Sequence, residues 1–132
     1  MTTHATGRFE VMSWDEKPYQ MLEQGAKLTR ASVRQCFHGD IEGEATVEFL
    51  MMYPDADSAY FAGLQRVVGA IGERRGSFVL QVNGTYVDGK AGADWFVVPG
   101  SGTGDLRGLQ GNGGFKPQPG LVMAVTLDYD FE

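Results

Sequence analysis

Apolar and polar residues alternate with a period of two along most of this chain. In residues 41–53, Glu42, Glu44, Thr46 and Glu48 oppose Gly43, Ala45, Val47, Phe49 and Met51. The last segment repeats the pattern, with Leu121, Met123, Val125, Leu127, Tyr129 and Phe131 set against Ala124, Thr126, Asp128 and Asp130. Successive side chains of a strand point to opposite faces, so each such segment buries one face and wets the other. A helix needs a period near 3.6, and no segment of ordinary helix length shows one. The 19 glycines among 132 residues point the same way, because glycine weakens a helix interior by about 1 kcal/mol relative to alanine.

Turn residues divide the chain into eight expected strands. The first opens at Phe9 and ends at Pro18, followed by a connection over 19–26 with a helical turn at Tyr19–Leu22. The others run over 27–38, 41–53, 58–71, 77–87, 90–99, 105–115 and 121–131. On the second, Ala31, Val33, Gln35 and Phe37 share a face. Asp88-Gly89 is a strong hairpin signal. Short connections make consecutive strands antiparallel neighbours. The expected fold is all-β, a single domain over 1–132 forming a closed eight-stranded up-and-down barrel, which removes sheet edges. A two-sheet sandwich is the alternative. Seven glycines fall within 100–114, where they allow a bulge or a tightly coiled strand.

Bulk properties exclude several function classes. A net charge of −6 lacks the basic footprint that nucleic acid requires. The longest apolar run, Phe49–Tyr53, is far short of the ~20 residues of a membrane helix. The single cysteine, Cys36, cannot form an intrachain disulfide, and the first residues lack a basic segment followed by an apolar core. A cytoplasmic location is expected, with neither nucleic acid nor membrane as partner.

Specific chemistry is sparse. The Gly100–Gly104 loop has no following helix or lysine to make a phosphate cradle, and it reads as structural. His4, in an N-terminus expected to be mobile, and the pair Cys36 and His38 fall short of a zinc ligand set. No cofactor or metal is expected, and no catalytic residue is assigned. The informative group is polar residues embedded in apolar strands: Glu48, Gln65, Gln81 and Asp94. A few polar groups among aromatics are the usual lining of a small-molecule site. Glu48, Gln65 and Gln81, with Trp95 and Tyr129, form the candidate ligand-binding set. Each polar member could equally face water, and Arg66 must point opposite to Gln65.

The segments Phe9–Glu16, Lys27–Val33, Gly39–Glu44, Gly76–Gln81, Val98–Gly104 and Leu127–Phe131 together resemble the bacterial family catalogued as domain of unknown function 3224. That resemblance implies a closed barrel similar to allene oxide cyclase and to lipocalin-like barrels. It carries no assigned activity and no catalytic set. Three functions follow as expectations. The lumen binds a small apolar or amphipathic molecule. Alternatively the chain is a cyclase or isomerase acting on a hydrophobic substrate, with a buried Glu48 as its acid. Or it is a homo-oligomeric structural protein whose barrel is filled.

Overall fold

The computed structural model describes residues 2–132. Eight strands follow in chain order: β1 (Thr3–Met21), β2 (Lys27–Gly39), β3 (Ile41–Asp55), β4 (Ser58–Ile71), β5 (Arg74–Val87), β6 (Lys90–Val97), β7 (Leu109–Gln118) and β8 (Val122–Phe131). Each pairs antiparallel with the next, and β8 returns to β1 from Thr3↔Tyr129 to Glu10↔Val122. The result is an all-β ring sheet, as the alternation predicts. The only helical pieces among the described residues are the 3₁₀ turns Glu23–Gly25 and Gly104–Leu106. No helix among the described residues is long and apolar enough to cross a membrane.

Three expectations need correction. Pro18 does not end β1, which continues to Met21 with a register shift between Pro18 and Gln20. Beyond Glu10, β1 keeps one bond on that side, the Val11 amide donating to the Leu121 carbonyl (2.9 Å), and then pairs with β2 alone. Proline lacks a donor N–H and is tolerated on such an edge. The turn expected at Tyr19–Leu22 therefore falls later, at Glu23–Gly25. His4 lies within β1 opposite Asp128, and its Nδ1 is hydrogen-bonded to that carboxylate.

The turns alternate between two ends. The connections at 22–26, 56–57, 88–89 and 119–121 gather at one end; those at residue 40, 72–73 and 98–108 gather at the other, with the start of β1 at Thr3 and the end of β8 at Phe131. The glycine-rich 98–108 segment closes this second end. The Thr103 amide donates to the Ser77 carbonyl (2.9 Å). The Ser77 amide donates to Thr103 Oγ1 (3.0 Å), and the Val79 amide to Ser101 Oγ (3.1 Å). The segment thus satisfies the part of β5 that β6 is too short to reach. The amides of Ser101, Thr103 and Leu106 are all spent on protein carbonyls. It also delays β7 to Leu109, later than the expected start at 105.

Leu106 drops from this loop into the ring and is completely buried. It joins an interior of Phe37, Ile41, Val67, Phe78, Leu80 and Leu127. Complete burial of each large apolar side chain contributes roughly 1.5–3 kcal/mol. Leu106→Ala leaves a cavity beneath a hydrogen-bonded loop that cannot collapse inward. The expected loss is about 2–5 kcal/mol of unfolding free energy, measured by urea denaturation. A loss below about 1 kcal/mol would show that the loop does not plug this end.

Candidate functional site

The opposite end of the ring is not filled. The rings of Phe9, Phe37, Trp95 and Phe115 contact one another in a closed cycle, with centroid separations of 5.5, 6.2, 5.6 and 5.3 Å around it. This cycle forms a floor. Above it lies a cavity of about 310 Å³, walled by Phe49, Met51, Phe61 and Met123 and rimmed by Trp14 and Leu121. The volume lies at the lower end of the ~300–1,000 Å³ of small-molecule sites. No charged side chain lines it, and its polar side chains are Gln35, Tyr53 and Tyr86.

A single backbone irregularity shapes the rim. Along the first part of β1, odd-numbered residues point inward, as the burial of Ala5 and Phe9 shows. The register then moves from Val11↔Gln35 to Ser13↔Arg34, leaving Met12 as an extra residue. After this bulge the even-numbered residues face inward, because side-chain direction has a period of two. Trp14 now lies opposite Val33, and Glu16 opposite Ala31.

Glu16 fastens three strands at this rim. Its Oε2 accepts from Thr29 Oγ1 and from the Tyr53 hydroxyl, each at 2.6 Å. Its Oε1 accepts from Trp14 Nε1 at 2.9 Å. Lys27 Nζ lies 4.9 Å from the centroid of the Tyr53 ring. Burial by itself raises the pKa of the Glu16 carboxyl. The three donors and the Lys27 charge outweigh burial and hold it below the ordinary glutamate value. The same contact, with burial as the larger cause, raises the Tyr53 phenol far above its ordinary range. At neutral pH the pair is therefore a carboxylate accepting from a neutral phenol.

Deeper in, Gln65 Nε2 donates to Gln35 Oε1. Both side chains are buried, at 5% exposure for Gln35 and 2% for Gln65. Gln35 borders the cavity, and Gln65 stands behind it.

The five candidate residues separate in this geometry. Gln65 is inside. Trp95 is also inside, but as part of the floor it does not line the cavity, and its Nε1 donates to the Thr126 carbonyl at 3.1 Å. Tyr129 is half-buried at the plugged end, edge-on to Phe131, because β8 runs away from the open mouth. Glu48 and Gln81 are corrected to the outer face. Glu48 keeps the parity of Glu42 and Glu44, and its Oε1 accepts from Arg30 Nε at 3.0 Å and Ser32 Oγ at 2.9 Å. Those two donors hold its pKa below the ordinary value, so it is not a buried acid. Gln81 is exposed and pairs with Leu64 and Phe96, both also exposed. Glu16, Thr29, Gln35 and Tyr53 were not among the candidates. The slip of the apolar phase from Phe9 and Val11 to Trp14 is the sequence signal that finds Glu16.

A family model described as "Protein of unknown function (DUF3224)" matches residues 5–129. A crystal structure of a protein with unknown function from the same family, from Shewanella oneidensis MR-1, is similar with a TM-score of 0.80 at 29% identity. The match covers 100% of this chain and 99% of that one. No curated protein matches the chain.

The rim network has a pH signature. Glu16 is a stronger acid in the folded chain than in the unfolded one, so ionisation favours folding. The contribution is present above the unfolded value of ~4.3 and is lost as pH falls through the lower folded value. Glu16→Gln is expected to be less stable than wild type at pH 7, with the difference closing below about pH 4. Denaturant titrations of both proteins across pH measure this. A difference that does not vary with pH would refute it.

Proposed function

The chain belongs to the DUF3224 family, and from its half-open interior we propose that it is a small closed β-barrel that binds one small apolar or amphipathic molecule in the lumen. The observation that carries this reading is the asymmetry of the interior. One end is plugged by Leu106 and its loop, while the other holds a cavity of about 310 Å³ with aromatic floor and walls. A filled structural barrel would need no such space. A cavity of this size has room for several waters. Water there would find few partners, so an apolar ligand gains by displacing it.

The ionisable groups favour binding over acid–base chemistry. A general acid or base works best with a pKa near the operating pH. Glu16, whose carboxylate is bonded to the cavity residues Trp14 and Tyr53, is pushed below the ordinary range, and the Tyr53 phenol is pushed up and away from neutrality. Both shifts suit a fixed rim. A resemblance to allene oxide cyclase and lipocalin-like barrels accords with lumen binding.

The test uses N-phenyl-1-naphthylamine, an uncharged dye that fluoresces in apolar surroundings. The wild type is expected to give a saturable rise in emission with one dye per chain. Ala91 borders the cavity, and Ala91→Phe should reduce affinity at least about tenfold by occupying the space. Circular dichroism should remain that of the wild type. No saturable binding, or equal binding by a folded Ala91→Phe protein, would sink the proposal.

A further inference from the structure

Resting on that reading of the cavity, we propose that Gln35 selects the ligand: the site takes an uncharged molecule carrying a carbonyl-type acceptor, held against the Gln35 amide at the inner end of the cavity. Among the described residues Gln35 makes one side-chain hydrogen bond, through Oε1 to Gln65 Nε2. A glutamine amide also has two N–H donors. No buried side-chain nitrogen or oxygen among the described residues lacks a partner, so Gln35 Nε2 still reaches open space. Gln35 is 5% exposed and borders the cavity. Gln35 shares the buried face of β2 with Val33 and Phe37, so the open space its side chain meets is the cavity. Gln65, 2% exposed, is a positioning residue: it holds Gln35 Oε1 and so turns the Gln35 nitrogen toward the ligand.

Charge follows from what surrounds this amide. No cationic or anionic side chain lines the cavity. Lys27 stays at the rim over the Tyr53 ring, and the Glu16 carboxylate lies beside Tyr53 and Trp14 at the same rim. An anionic head at the Gln35 level would be buried without a counter-charge after passing a carboxylate. A cationic head would be equally unpaired there. Both are costly. A ketone, ester or amide oxygen accepts from Gln35 at no such cost. A ligand with no acceptor leaves the amide donors dry and unpaired. Phe9 and Phe115 at the floor, with Phe61 on the wall, favour a flat body behind that oxygen.

Three naphthalene probes test this by equilibrium dialysis at pH 7: 2-acetylnaphthalene, 2-ethylnaphthalene and 2-naphthoate. On wild type the ketone is expected to bind about tenfold tighter than the ethyl compound. The carboxylate should bind at least about 100-fold more weakly than the ketone. In Gln35→Leu the ketone falls to the affinity of the ethyl compound, which itself is retained. The wild-type comparison stands alone if Gln35→Leu does not fold, and Gln35→Met then serves as the variant. Equal wild-type affinities for ketone and ethyl compound, tight binding of the carboxylate, or a ketone preference that survives Gln35→Leu would overturn the inference while leaving lumen binding intact. Failure of all three probes to bind would overturn both.

Discussion

The hydrogen bonds between β8 and β1, from Thr3↔Tyr129 to Glu10↔Val122, turn a row of strands into a ring. Without them β1 and β8 would each present a line of unpaired backbone groups, and the apolar face of every strand would need another cover. With them, the alternation of each strand acquires a single meaning. One parity points into a shared interior and the other into solvent. The burial of Val33, Val47, Val67, Phe78 and Leu127 together follows from that closure. Side chains from opposite walls become one another's solvent.

Closure also creates two unlike ends. At one, β6 stops short at Val97 and the 98–108 segment completes the pairing of β5, bringing Leu106 inside. At the other, β1 outlasts its partnership with β8. Its final residues run along β2 alone, and this stretch contains Lys17 and Pro18, residue types that discourage a further strand from adding. The bulge at Met12 lies where β1 begins this departure. One additional residue exchanges the faces, bringing Trp14 and Glu16 to the rim in place of Ser13 and Asp15. The open end is held by an ionised hydrogen-bonded network that needs no packing across the mouth.

The candidate site was only partly legible. Gln65 and Gln81 are the same residue type in similarly mixed strands, yet one is buried and the other exposed. Phe61 and Val67 on the face of Gln65 mark the inward side of β4. On β5 both parities are apolar, because Val79 is half-buried on the outside, and the local pattern does not separate them. Gln35 was placed on its correct face with Phe37 and Val33, but nothing local distinguishes a buried glutamine that meets a cavity from one that meets another side chain. Glu16 lay past the bulge, where counting by twos from Phe9 gives the wrong face.

The sequence by itself determined the strand periodicity, the places of most turns and the all-β class, because these depend on neighbours two or three residues apart. Only the tertiary structure decided which end is plugged, where the interior stays open, and that Glu16, Thr29 and Tyr53 meet. Those outcomes depend on register between strands and on one bulge. A shift of a single residue inverts every side chain that follows it.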